Sequence, residues 1–395
     1  MGGLERDLTR LREAVLERVE EHSAAMVQLS WEIHDHPELG YAEREASRLL
    51  AARLTEAGFQ VERGVGGLPT ALRAVYPGPE RPAVAFVGEY DALPDLGHAC
   101  GHNLIAAASW GAAVGLARAT GGELGRVVFL GTPAEEGGGG KIQMVERGVF
   151  RHLDACLMFH PHRRNELEFQ ARAAYPLRIR FRGRAAHAAS APHEGINALE
   201  AVILTFLGVN ALRQHLREEA RIHGIISKGG VAPNIVPEEA EARFLVRALT
   251  ASYLEEVLEK VKNCARGAAQ ATGAALDLEP DGPVYQPMRN NQILLDVFRA
   301  NLARAGWQEP EAPPRPGGST DLGNVSQVVP CIQPQLAVAP EEVAPHTPQF
   351  AAAAVSPRAE QVLRTAAQAL ALTGLDVLTD GALRHAARQE LRGGT

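Results

Sequence analysis

The sequence predicts an α/β fold interrupted by an inserted α+β domain, and three observations carry that expectation. Short apolar runs at Ala83 to Val87, Val127 to Leu130 and Ala155 to Phe159 alternate with helical stretches, the texture of buried strands covered by helices on both faces. Near Tyr175 the texture changes: Leu177, Ile179 and Phe181 alternate with Arg178, Arg180 and Arg182, which marks a strand with one wet face. At 395 residues the chain also exceeds the size at which one core keeps growing, so two domains are expected.

Taken in order, the opening segment places Leu4, Leu8, Leu11, Val15 and Val19 at three- and four-residue steps, one apolar face of a helix. A second helix is expected from about Ala42 to Ala57, closed by Gly58, and the three apolar strands follow. From Leu177 the order is strand, helix (Gly195 to Arg217), strand (Ile222 to Ser227), strand (Ala240 to Ala248), helix (Tyr253 to Ala271) and strand (Ala275 to Leu278). This βαββαβ string is the ferredoxin-like, split-βαβ arrangement, and about a hundred residues suffice for a small domain. After Pro283 the first texture resumes, with helices near Gln292 to Ala305 and Ala359 to Thr373. The expected division is therefore 1–173 with 283–395 as one domain and 174–282 as the insert.

Composition narrows the function classes. Hydrophobic residues make up 46% and charged residues 22%, within the ordinary globular range. The net charge of -7 is spread along the chain, which suggests neither a nucleic-acid footprint nor a polybasic membrane patch, so small-molecule partners are expected. The first residues are charged and show no export signal, and the apolar stretch Leu104 to Ala119 is too short and too rich in Ala and Gly to span a membrane. Cys100, Cys156, Cys264 and Cys331 make no disulfide framework, which fits a reducing cytoplasm.

The chemistry is expected where the apolar strands end, because ligands of open α/β sheets gather beyond the carboxyl ends of their strands. The first strand leads to Glu89-Tyr90-Asp91 and then to His98-Ala99-Cys100-Gly101-His102-Asn103. Cys100 and His102 flank the start of a helix, where a thiolate and an imidazole can share a transition metal and the helix dipole favours the ionised thiol. The second strand leads to Glu135 and Glu136; neighbouring residues leaving a strand point apart, so one can bind metal while the other faces substrate. The third leads to His160, with His162 as a competing ligand in the same motif, and His346 sits far downstream in a proline-framed turn. Singly these are weak signals. Together, nitrogen, oxygen and sulfur ligands in four clusters suit a two-metal site.

These motifs resemble the M20 metallopeptidase and aminoacylase family, in its Cys-containing amidohydrolase branch. The resemblance spans nearly the whole chain: Gly88 to Pro94, Gly97 to Asn103, Pro133-Ala134-Glu135-Glu136, His160, Gly183 to Ala188, Pro233 to Pro237, Gly318-Ser319-Thr320-Asp321 and His346-Thr347. Within the branch it resembles the dipeptidase-like group related to β-alanyl-lysine dipeptidase and to the p-aminobenzoyl-glutamate hydrolase subunits. It implies a mixed-sheet, di-metal aminopeptidase-like catalytic domain whose insert is a lid and dimerisation domain, hence a homodimer. It implies Cys100, His102, Glu136, His160 and His346 as ligands of two divalent ions, zinc or manganese with cobalt also permitted. Glu135 is then the proton shuttle and Asp91 a supporting acid behind the ligands. The family's usual histidine two positions before Asp91 is Glu89 here, which moves ligand duty to Cys100. His187 corresponds to an oxyanion-stabilising histidine, often acting on the site of the other protomer; Asn234, Ser319 and Asp321 are implied to contact substrate. The expected function is hydrolysis of the amide bond of N-acyl amino acids or dipeptides by metal-activated water, with a non-catalytic or heteromeric subunit as the rival. The residue holding a substrate carboxylate stays open, Arg247 and Arg289 being candidates.

Overall fold

A computed structural model describes residues 2–393, with side chains described from Arg6 onward, so the Leu4 side chain lies outside the described residues. The chain forms two compact units. The larger runs to Gln170, resumes over Met288–Arg315 and continues from Asp321; the smaller comprises Ala171–Pro287 with Pro316–Thr320.

The larger unit opens with α1 (Gly2–Glu21), α2 (Ser23–Asp35) and α3 (Arg44–Glu56), then β1 (Gln60–Arg63), β2 (Leu72–Val75), β3 (Ala83–Glu89), α4 (His102–Thr120), β4 (Arg126–Thr132), α5 (Gly140–Glu146), β5 (Ala155–Leu157) and β6 (His160–His162). Val15 and Val19 are fully buried, with Leu8 and Leu11 packed against the same core, as the helical spacing requires. Helix α2 departs from the expectation of a single helix before residue 42; Met26, Val27, Leu29 and Ile33 are buried on its inner face, yet no glycine or proline separates it from α1 in sequence. Six strands form one sheet in the order β1-β2-β4-β3-β5-β11, β11 being Cys331–Ile332. Its centre is parallel and β2 is antiparallel to β4, so the sheet is mixed. The predicted third strand, Ala155 to Phe159, ends early at Leu157, and His160–His162 beyond it pairs with β12 (Gln335–Ala337) in a separate two-stranded ribbon.

Helix α4 is apolar almost all round and correspondingly buried. Two of its glycines allow that: a Cβ on Gly111 would stand 2.0 Å from Met26 Sδ, and one on Gly115 2.3 Å from Val19 Cγ2. The later helices of this unit are α8 (Gln292–Arg304), α9 (Leu322–Val325), α10 (Pro348–Ala353), α11 (Pro357–Thr379) and α12 (Gly381–Gly393).

The smaller unit contains β7 (Ala173–Arg182), α6 (Ala198–Leu212), β8 (Arg221–Lys228), β9 (Glu239–Ala248), α7 (Ala251–Thr272) and β10 (Ala275–Pro280). Its antiparallel sheet runs β10-β7-β9-β8, and Leu177, Ile179 and Phe181 face a core shared with α6 and α7. Helix α6 starts at Ala198 rather than Gly195 because the Asn197 side chain accepts the N–H groups of Leu199 and Glu200. The unit begins and ends side by side, with Ala174 and Tyr285 exchanging two 3.0 Å backbone hydrogen bonds. Among the described residues, no helix is long and apolar enough to cross a membrane.

Candidate metal centre

Strands β3 and β4 are parallel neighbours in register, and β5 flanks β3, so their carboxyl ends lie along one edge of the sheet. Glu89 closes β3; Asp91 follows it; Glu135 and Glu136 lie just past β4. Gly101, at φ 79°, turns the chain between Cys100 and His102 into the first turn of α4, and a Cβ there would stand 2.5 Å from Pro161 Cγ. The downstream turn is tied in by a 2.8 Å hydrogen bond from His346 N to Ala99 O. Ala134 and His346 both adopt left-handed backbone, φ 56° and 63°, conformations that cost non-glycine residues energy and collect at functional sites.

Ligand-type atoms converge there. Cys100, His102 and His160 offer atoms within 4.8 Å of one another, as do Cys100, Glu136 and His346, and again His102, Glu135 and Glu136. Cys100 Sγ lies 3.6 Å from His160 Nε2, and His346 Nε2 lies 3.3 Å from Glu136 Oε1. The structure thus brings together Cys100, His102, Glu135, Glu136, His160 and His346. His162 belongs to none of these groups, and burial, its largest influence, lowers its pKa to about 4. Asp91 stands behind the ligands: Oδ1 is 3.1 Å from His102 Nδ1, and Oδ2 accepts the backbone N–H of Glu136 at 2.9 Å.

Whether these residues suit a metal is tested by what they leave unpaired. With Nδ1 directed to Asp91, His102 Nε2 is buried without a hydrogen-bond partner and faces Glu89 at 3.5 Å and Glu135 at 3.9 Å. A carboxylate behind one ring nitrogen with the other left bare is the usual setting of a metal-binding imidazole. Glu89, Asp91, Glu135, Glu136 and Asp321 share this region with one ammonium, Lys141, and such an excess of buried negative charge calls for cations. The donor set fits divalent metals.

Burial drives Glu135 well above the ordinary carboxylate range, and Glu89, Glu136 and Asp321 push the same way. For its neighbour Glu136, burial acts upward too, but the His346 hydrogen bond and His102 bring the net value down. The adjacent carboxyls are therefore driven apart, one toward proton carriage and one toward permanent charge. Burial lowers the pKa of His160, leaving a neutral imidazole able to donate a lone pair. The Cys100 thiol departs from expectation: burial pushes its pKa up despite its place before α4. Burial outweighs the pull of His102, so a thiolate at this position needs further positive charge beside it.

Several residues matter that the motifs did not single out. Lys141, fully buried, places Nζ 2.6 Å from Glu89 Oε1 and 2.7 Å from Asp321 Oδ1. Asp321 is accordingly inaccessible, engaged inside the fold rather than lining a pocket; burial lifts it to about 6 while Lys141 pulls it down. Glu43, also inaccessible, accepts from Ala134 N and Thr70 Oγ1. A lysine and a glutamate on apparently ordinary helical segments carry no sequence signal of this kind.

In the smaller unit His187 and Asn234 sit on facing strands of one loop pair, with His187 bridging to Ile235 and Ala188 N donating to Asn234 O. His187 Nδ1 accepts the N–H groups of Ala189 and Ser190, both at 3.2 Å, which leaves the ring proton on Nε2 as a donor. Ser319 belongs to the same unit, its Oγ buried without a hydrogen-bond partner. Arg247 Nε is likewise buried and unpartnered, whereas Arg289 donates to Leu391 O.

Fold and site together define a metal-dependent hydrolase of amide bonds. Residues 172–272 match the peptidase dimerisation domain of the M20 peptidases. The chain is 39% identical to Xaa-Arg dipeptidase of Mus musculus, covering 98% of this chain and 93% of that one. It is 37% identical to a p-aminobenzoyl-glutamate hydrolase subunit of Escherichia coli over 70% of this chain and 62% of the relative. A Bacillus subtilis protein described as a dinuclear metal binding peptidase from the M20 family superposes with a TM-score of 0.64 at 21% identity, covering 88% of this chain and 98% of that chain. The chain belongs to the M20 peptidase family.

Proposed function

We propose that this protein hydrolyses dipeptides or N-acyl amino acids at a two-metal centre, with Glu135 as general base. The observation that carries this reading is the convergence of Cys100, His102, Glu136, His160 and His346 beside Glu135, whose environment raises its affinity for a proton. When bound, two divalent ions supply Lewis-acid polarisation of the scissile carbonyl and acidify the attacking water. Glu135 takes the water's proton and returns it to the leaving amine. Asp91 orients the His102 ring and, through the Glu136 N–H, the start of the acidic turn. His187 Nε2–H is assigned to the developing oxyanion, and Asn234 and Ser319 to substrate contact. The thiolate and imidazole ligands favour zinc; the carboxylates also admit manganese and cobalt.

The substrate class follows the relatives: one is named for Xaa-Arg dipeptides and another for p-aminobenzoyl-glutamate. The smaller unit is assigned the role of lid and dimerisation domain, in keeping with the peptidase dimerisation domain that residues 172–272 match, and the assembly is a homodimer. Strand β8 is a sheet edge, with Ile225 62% and Ile226 46% exposed, and Leu207 on α6 is 58% exposed, apolar side chains that a second copy would cover. Four free thiols agree with a cytoplasmic setting.

The test is turnover by chain loaded in turn with zinc, manganese and cobalt, on a panel of Xaa-Arg and other dipeptides and N-acyl amino acids. Metal-dependent release of free amino acid is expected. A fully loaded chain inert across the panel would instead favour the non-catalytic reading.

A further inference from the structure

Among the described residues, three of the groups able to hold a metal ion include Cys100, His102 or Glu136; a further group, Glu89 with Glu135 and Asp321, consists of carboxylates alone and is buried throughout. Three carboxylates with oxygens inside 4.8 Å repel one another unless a cation joins them, and an all-oxygen set suits a hard divalent ion such as Mn²⁺. That position is already taken by the Lys141 ammonium, at 2.6 Å from Glu89 and 2.7 Å from Asp321, with none of the three side chains exposed.

Lys141 is also held through its backbone. Its N–H donates to Asp321 Oδ2 at 2.9 Å, so one carboxylate grips both ends of the residue. The preceding Gly140 lies so close to Pro133 that a Cβ would stand 1.9 Å from the Pro133 carbonyl oxygen. Pinned on both sides at the start of α5, the ammonium is not free to leave as an exchangeable ion would. Glu89 in turn faces His102 Nε2 through its other oxygen at 3.5 Å.

We propose that Lys141 is a built-in cation: it fills the all-carboxylate cluster, restricts exchangeable metal to the sulfur- and imidazole-bearing groups, and positions Glu89 and Asp321 beside Glu135. The proposal rests on the metal-centre reading above. It assigns Lys141 a positioning role, since the residue reaches the centre only through its two carboxylate partners.

The test is metal stoichiometry. Wild type, Lys141→Arg, Lys141→Met and the double variant Lys141→Met/Asp321→Asn are saturated with Mn²⁺, desalted, and assayed for bound manganese and for melting temperature. Lys141→Met is expected to hold one more ion per chain than wild type, while Lys141→Arg and the double variant match wild type. A folded Lys141→Met with the wild-type count overturns the proposal, whereas wild type binding no manganese overturns the metal-centre reading instead. Should Lys141→Met fold only with Mn²⁺ present, the cation requirement is demonstrated directly. A wild-type titration to millimolar Mn²⁺ provides a measurement independent of that variant's folding: a further ion that disappears in Glu89→Gln would show the cluster open to metal and overturn the proposal.

Discussion

The carboxylate of Glu43 accepts a 2.7 Å hydrogen bond from the backbone N–H of Ala134, the residue immediately before Glu135. Ala134 holds a left-handed backbone, which costs a residue with a side chain about 1–2 kcal/mol, and the buried Glu43 is positioned to maintain it. Replacing Glu43 with Ala strands the Ala134 N–H and Thr70 hydroxyl and is expected to destabilise the protein by about 1–3 kcal/mol. Turnover should fall with it because Glu135, the proposed general base, loses its registration. Denaturant melts and steady-state kinetics check both; an unchanged melt with full activity would remove Glu43 from this account.

Glu135→Gln keeps the shape of the side chain and loses its proton chemistry. Metal content should match wild type while kcat drops by a factor on the order of 10²–10⁴. Elemental analysis beside kinetics reads both quantities, and near-normal turnover would disprove the assignment.

Cys100→Ala and His160→Ala each remove a proposed ligand atom from one group, and both should lose metal. Chelation of wild type should lower its melting temperature, since a site a thousandfold above its Kd contributes about 4 kcal/mol. The ligand variants should respond to chelator much less. Full metal occupancy in Cys100→Ala would exclude sulfur from the centre.

Acid should weaken the smaller unit through Asp281. Burial pushes this carboxyl upward, but hydrogen bonds from Arg243 and Arg178 win and hold it below the ordinary aspartate value. A depressed folded-state pKa contributes stability that is complete above the unfolded value, near about 3.9, and is lost as pH falls through the lower folded value. Asp281→Asn should therefore be less stable than wild type at neutral pH, with the gap closing as pH drops toward about 2. Parallel acid titrations followed by circular dichroism would show the convergence, and a gap constant with pH would refute it.

Substituting lysine for both Ile225 on β8 and Leu207 on α6 places charge at two exposed apolar positions of the smaller unit and should yield a monomer. Light scattering coupled to gel filtration distinguishes the states, and a wild type that is itself monomeric would defeat the dimer proposal.

Legibility in the sequence followed periodicity and ligand chemistry. The alternation through Leu177, Ile179 and Phe181 and the apolar runs before Glu89, Glu135 and His160 identified the strands, because burial imposes those patterns wherever a sheet has a covered face. Cys100, His102 and His346 were legible through residue type at turns. What escaped was three-dimensional pairing. Lys141 follows a glycine run on an otherwise ordinary amphipathic stretch, and its partners Glu89 and Asp321 lie 52 and 180 residues away in sequence. Asp321 suggested a pocket because an isolated aspartate after Gly-Ser-Thr carries no sign of a buried ammonium. The break between α1 and α2 was hidden for a related reason: the turn at His22 uses neither glycine nor proline.

The paired backbone bonds between Ala174 and Tyr285 give the protein a modular joint. A segment whose two ends leave from neighbouring positions can be lengthened or exchanged for another of similar footing, about one strand spacing wide, provided the replacement also seats Pro316–Thr320. Varied inserts are thus within reach of a single host unit, and a new preference can arise by grafting rather than by rebuilding the host.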